Sequence, residues 1–144
     1  MSPIYFDLRV LVSHPSLLAQ TSHLLLSCHP LAKVLLLLLL LATHSQDDLV
    51  CGVPYTALPM ATLMSVEAGV AMVVRRKEAK DYGTKKMVEG VWKQGQRCLV
   101  VEDVVTTGGS VGDTAKLLRE HGMQVLDLLL LLPPSCSYLP PTAR

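Results

Sequence analysis

The segment Val100-Val101-Glu102-Asp103-Val104-Val105-Thr106-Thr107-Gly108-Gly109-Ser110 constrains the fold more than any other stretch of the chain. Its valines read as a buried strand whose last residues are two carboxylates. A short Thr/Gly loop follows, and a helix opens at about Ser110. Strand, tight loop and helix in that order begin an α/β unit, and the carboxyl end of such a strand is where α/β sheets bind ligands. Unpaired backbone N–H groups and a helix N-terminus suit a phosphate. The carboxylates suit what lies beside it: sugar hydroxyls, a bound metal or a developing positive charge. A phosphorylated ribose meets both demands. A nucleotide triphosphate fits less well, because the P-loop lysine of G-x-x-x-x-G-K-[ST] is absent.

The rest of the chain supplies the units around this one. Pro15 suits the first turn of a helix over residues 16–26, with Leu17, Leu18, Leu24 and Leu25 toward a core. Residues 49–53 read as a short buried strand stopped by Pro54. Residues 56–67 follow as a helix with Leu58, Ala61, Leu63 and Val66 inward and Gly69 beyond its end. Residues 70–75 make a second strand. The charged stretch 77–89, with Gly83 inside it and Gly90 after it, reads as a long mobile loop or hairpin. A turn at Gln94-Gly95-Gln96 leads into a third strand over 97–101. Val111, Ala115 and Leu118 then recur at helical spacing, Gly122 ends that helix, and 125–132 make a fourth strand. Alternating strands and helices predict parallel pairing through right-handed crossovers, an α/β fold.

A chain of 144 residues suits one domain and can bury a core without staples. Its net charge of +1 makes no case for nucleic acid or an anionic membrane as partner. The four cysteines form no C-x-x-C pair, and Cys51 and Cys98 sit in apolar strand contexts, so reduced core thiols and a cytoplasmic location are expected. The five histidines form no metal motif. The leucine-rich run 34–42 is too short to span a bilayer, which takes about 20 apolar residues. A buried or poorly specified helix is expected there.

The run 100–110 also resembles the phosphoribosyl-pyrophosphate (PRPP) motif of type I phosphoribosyltransferases. Cys51-Gly52-Val53-Pro54-Tyr55-Thr56-Ala57-Leu58-Pro59 and Arg75-Arg76-Lys77-Glu78-Ala79-Lys80-Asp81-Tyr82-Gly83-Thr84-Lys85-Lys86 narrow the likeness to orotate phosphoribosyltransferases. They are most similar to the form fused in animals to orotidylate decarboxylase, the bifunctional UMP synthase. The opening Ser2-Pro3-Ile4-Tyr5-Phe6-Asp7-Leu8-Arg9 fits the same family. The resemblance covers residues 2–20 and 49–130 and fails at 22–46 and after 132. It implies a central parallel sheet flanked by helices with a hood, incomplete at both termini. On this reading residues 1–132 are one domain carrying a divergent leucine-rich insertion at 22–46, and 133–144 are a disordered Pro/Ser-rich tail.

The resemblance implies a reaction: transfer of phosphoribose from magnesium-bound PRPP to orotate, giving orotidine monophosphate and pyrophosphate, in a cytoplasmic homodimer. Bond breaking leads bond making, so positive charge builds on the ribose. Thr106, Thr107, Gly108, Gly109 and Ser110 would hold the phosphate, and Val104 and Val105 belong to the same PRPP-binding stretch. Glu102 and Asp103 would bind the ribose hydroxyls and favour the cationic sugar. Arg76, Lys77, Lys80 and Tyr82 would close over pyrophosphate, with Lys80 the first choice for the transition-state contact. Tyr55 and Thr56 would offer donors to pyrophosphate, and Tyr5, Phe6 and Thr106 would contact orotate. No residue is assigned to the metal directly; magnesium arrives on PRPP.

Each feature also has a plainer reading. The glycines can be an ordinary strand-to-helix turn, the acids a pair at a helix start, the charged loop a solvated surface, and Tyr5-Phe6 edge packing. Two departures favour a chain that binds PRPP without turnover, or acts through a partner. The lysine that relatives carry upstream of Ser2-Pro3 has no counterpart. Pro133-Pro134 stand where relatives place the arginine that receives the orotate carboxylate. Purine salvage is disfavoured by the loop at 76–86 and by Tyr5-Phe6, and a small membrane-associated peptide ranks last.

Overall fold

Strand β1 (Asp48–Gly52) lies in the middle of a five-stranded sheet of order β3-β2-β1-β4-β5. The computed structural model describes residues 7–28, 48–78, 86–105 and 107–132. The leucine-rich run 34–42 and the tail 133–144 lie outside the described residues. β2 (Ala71–Arg75) and β4 (Arg97–Val104) flank β1 in parallel, and β5 (Gln124–Leu132) is parallel to β4. β3 (Val88–Glu89) pairs antiparallel with β2 and gives the charged loop a short return leg.

The helices lie on both faces. A 3-10 turn, Arg9–Ser13, leads into α1 (Pro15–Cys28); α2 (Ala57–Ala68) connects β1 to β2, and α3 (Gly109–Glu120) connects β4 to β5. The first face buries Leu25 and Leu26 of α1 and Met60, Ala61 and Met64 of α2 against Val50, Leu99 and Val101. The second buries Leu118 of α3 with Leu49, Cys51, Val73, Cys98 and Val100. Successive strand residues alternate between these two cores, as the pleat requires. Each fully buried Met or Leu contributes roughly 1.5–3 kcal/mol.

The crossovers explain where a ligand can bind. The β1-to-β2 connection runs outward on one face, and the β4-to-β5 connection runs the opposite way on the other. Between β1 and β4 the chain therefore reverses direction, leaving a crevice beyond their carboxyl ends. The Val53 N–H donates to the Val101 carbonyl at 2.9 Å and keeps those ends together. Gly52 permits the tight exit from β1: a Cβ there would meet the Ala57 carbonyl oxygen and the Ala61 Cβ at 3.0 Å.

Three sequence expectations need correction. In α1 the buried residues are Ser22, Leu25 and Leu26, while Leu17 and Leu24 are 49% and 57% exposed. In α2 the inward face is Ala57, Met60, Ala61, Met64 and Ala68; Leu58 and Leu63 are half-buried and Val66 is 75% exposed. Both helices are apolar on most sides, so spacing alone does not fix which side turns inward. The third strand, expected over 97–101 with the two acids at its tip, runs on to Val104, so Glu102 and Asp103 lie on the ladder as the motif implied and only the strand's end shifts. As the sequence predicts, Gly69 ends α2 in the left-handed region at φ 61°, and Gly122 follows α3 at φ 82°.

Candidate functional site

Beyond the carboxyl end of β4, Glu102, Val104, Val105, Thr107, Gly108, Gly109, Ser110 and Val111 line one open hollow with about 220 Å³ of empty space. Gly108 stands just ahead of α3 with φ 78°, a conformation that costs a residue with a Cβ about 1–2 kcal/mol. This bend aims the first turn of α3 at the hollow, and the backbone N–H groups of that turn have no partners within the helix. The sequence-predicted acid and the sequence-predicted anion loop thus share one small space.

Glu102 is 6% exposed. Burial is the main cause that pushes its pKa up from 4.5 to about 8, and the hydrogen-bonded carboxyl of Asp103 adds to it. The Asp103 N–H, which donates to Glu102 Oε1 at 3.0 Å, and the Arg75 guanidinium pull the other way. Asp103 itself is half-buried and acts on the hollow through Glu102 rather than lining it. A buried carboxyl group poised near neutral pH beside an anion cradle can accept a hydrogen bond or answer a growing positive charge.

The loop after β1 approaches from the other strand. The Pro54–Tyr55 peptide is cis. Tyr55 is 67% exposed, and Lys77 Nζ stands 5.5 Å from its ring centroid, so the β1 loop and the base of the charged loop touch. Thr56 immediately precedes α2 and is half-buried, without a side-chain capping bond. Arg76 forms an ion pair with Glu89 of β3 and donates its backbone N–H to the Met87 carbonyl at 2.8 Å. Arg76 and Lys77 therefore stand at the root of the loop. Lys80, Tyr82, Tyr5, Phe6 and Thr106 lie outside the described residues.

One residue escaped the sequence reading. Arg75 ends β2, and its Nη1 donates to the Ser110 carbonyl at 3.0 Å and to Thr114 Oγ1 at 2.8 Å, reaching under the first turn of α3. Strand parity was the available signal: Val73 faces the α3 core, so Arg75, two residues on, must face the same way.

Among the described residues, no three His, Cys, Asp or Glu side chains gather where they could hold a metal ion. The donor set present is one pair of neighbouring carboxyl groups, which fits an ion held mainly by a substrate's own oxygens. No helix among the described residues is long and apolar enough to cross a membrane.

Comparison with known proteins agrees with this geometry. Residues 39–143 match the family model described as phosphoribosyl transferase domain. The uridine 5'-monophosphate synthase of Bos taurus is 43% identical over 131 residues, 91% of this chain and 25% of that protein. The orotate phosphoribosyltransferase of Caenorhabditis elegans is 42% identical over 132 residues, 92% of this chain and 53% of its own length. The structure of Leishmania donovani UMP synthase superposes with a TM-score of 0.72 at 32% identity, covering 94% of this chain and 27% of that one. This chain thus spans about half, or a quarter, of the length of these relatives. With the matched domain, the doubly wound sheet and the acid-plus-loop hollow in agreement, the chain belongs to the phosphoribosyl transferase domain family.

Proposed function

We propose that this chain carries the orotate phosphoribosyltransferase reaction of pyrimidine synthesis, taking phosphoribose from PRPP to orotate and releasing pyrophosphate. The observation that supports it most is the shared hollow of Glu102 and residues 107–110 at the reversal between β1 and β4. Family likeness supplies the choice of orotate: the similar protein from Caenorhabditis elegans is named orotate phosphoribosyltransferase, and that from Bos taurus uridine 5'-monophosphate synthase.

In this reading the bend at Gly108 and the first turn of α3 hold the ribose phosphate by backbone N–H groups and the hydroxyls of Thr106, Thr107 and Ser110. Glu102, supported by Asp103, faces the ribose and gains from ionising as positive charge grows on the sugar. Tyr55, Thr56, Arg76 and Lys77 attend the pyrophosphate side together with Lys80 and Tyr82. Tyr5 and Phe6 contact the base. Magnesium, carried by PRPP, would neutralise charge on the leaving pyrophosphate. A cytoplasmic homodimer is part of the proposal; the free, buried thiols of Cys51 and Cys98, with proton affinities raised by burial, support a reducing compartment.

The test is the loss of orotate absorbance when the purified chain is mixed with PRPP and magnesium. Turnover supports the proposal. PRPP binding with orotate unchanged over hours overturns the catalytic reading and leaves a binding-only protein, the alternative favoured by Pro133-Pro134 in place of the family's arginine.

A further inference from the structure

Arg75 is placed against ordinary electrostatics. The N-terminal end of a helix carries partial positive charge, so a guanidinium beneath the first turn of α3 is repelled by the helix it holds. Three polar atoms nevertheless lock together there. Arg75 Nη1 donates to the Ser110 carbonyl and to Thr114 Oγ1, and Thr114 Oγ1 donates to the same carbonyl at 2.7 Å. Thr114 is fully buried, so the lock sits on the inner side of the helix, against the sheet. Arg75 Nε is also buried and finds no hydrogen-bond partner among the described residues. A cation held at such a cost gains a purpose once an anion occupies the hollow, because guanidinium and helix end then face the same negative charge.

The lock has a second consequence. Arg75 immediately precedes Arg76 and Lys77, the two basic residues at the root of the charged loop. β2 therefore connects the anion-holding turn on one side with that loop on the other.

We propose that Arg75 is a positioning residue: by fixing the first turn of α3 against the end of β2, it sets the anion-binding bend and adds positive potential beneath it. This rests on the phosphoribosyl reading of the hollow. It assigns Arg75 no contact with substrate; it acts through Ser110 and Thr114.

The experiment is titration calorimetry of the full chain with ribose 5-phosphate, for the parent, Arg75→Ala, Arg75→Lys and Thr114→Val. Arg75→Ala is expected to weaken binding about tenfold. Arg75→Lys should recover most of that loss, since the charge returns even though the fork geometry does not. Thr114→Val keeps the buried shape and removes the hydroxyl, so it should weaken binding about threefold, and by less once Arg75 is gone. That coupling still reads the lock if Arg75→Ala alone folds poorly. Affinity in Arg75→Ala or Thr114→Val within about twofold of the parent overturns the positioning role. So does equal weakening in Arg75→Lys and Arg75→Ala with equal losses of melting temperature, because a purely structural side chain behaves that way. If the parent itself shows no ribose 5-phosphate binding, the phosphoribosyl reading fails and the role of Arg75 falls with it.

Discussion

At the amino ends of β1 and β4, Asp48 accepts two hydrogen bonds from Arg97, at 2.7 and 2.8 Å, across directly paired strand positions. At the carboxyl end of β4, Glu102 is as buried as Asp48, at 6% against 8% exposure, yet Arg75 directs its Nη1 to α3. Glu102 instead has a second carboxyl group, Asp103, for a neighbour. Both ends hold a buried acid and an arginine from a strand of the same sheet. At the base the two are matched in a bidentate pair and hold strands together. At the tip the Arg75 hydrogen bonds go to α3 instead, and burial pushes the acid's pKa above its ordinary range despite the nearby guanidinium. A protein keeps an unmatched acid where a ligand is to meet it, and closes such acids off elsewhere.

The largest effect expected from this contrast is on turnover. Glu102→Gln should lower phosphoribosyl transfer about 100-fold in the orotate assay, as loss of one preorganised charged group does. The same variant tests the electrostatics. Glu102 rises from 4.5 to about 8 on folding, so between those values the folded chain keeps a proton that the unfolded chain has released. Stability contributed by this group is complete below about 4.5, falls as pH climbs to about 8, and is level above that. Glu102→Gln should flatten this slope in thermal melts across the same window and should not lower the melting temperature at pH 8. Parallel slopes in parent and variant would show that Glu102 is not strained at the tip.

Asp48→Ala reads the other end and should reverse the pattern. Removing one partner of a buried ion pair costs about 3–5 kcal/mol; the Arg97 side chain is 40% exposed and keeps water, so a loss of about 2 kcal/mol is expected in urea unfolding. Ribose 5-phosphate affinity should stay within about twofold, since the site lies at the far end of the strands. A large loss of affinity with little loss of stability would make the base part of the site and dissolve the comparison.

The same division explains what could be read from the sequence. Residues 100–110 were legible because several local signals agree there: valines for a buried strand, acids at its tip, a glycine that needs φ 78°, and a helix after it. The inward face of α2 was not, because Leu58, Leu63 and Val66 are as apolar as Met60 and Met64, and only packing against Val50 and Val101 decides which set is buried. For β3 the sequence left loop and hairpin both open, because two residues carry no period of their own; their strand character comes from pairing with Val74 and Arg75. Arg75 was read as the end of the second strand, next to a basic run, but without a role. Its role depends on which face of β2 it occupies, a fact of the sheet rather than of the run.

The smallest expected effects distinguish two glycines that share a backbone conformation. Gly69 caps α2 at φ 61° and donates its N–H to the Val66 carbonyl at 3.3 Å, remote from the hollow. Gly108 stands at φ 78° in the hollow wall, where an added Cβ would meet only Val105 Cγ1, at 4.0 Å. Gly108 is uncrowded, so the cost there is conformational, and alanine at either position should lower stability by about 1 kcal/mol. Ligand affinity should separate them: Gly108→Ala turns the N–H groups that face the anion and should weaken ribose 5-phosphate about threefold, while Gly69→Ala leaves it alone. Equal affinities in the two variants would mean that the bend at Gly108 serves the chain's path and not its ligand, and the acid at the tip of β4 would then have no anion site beside it.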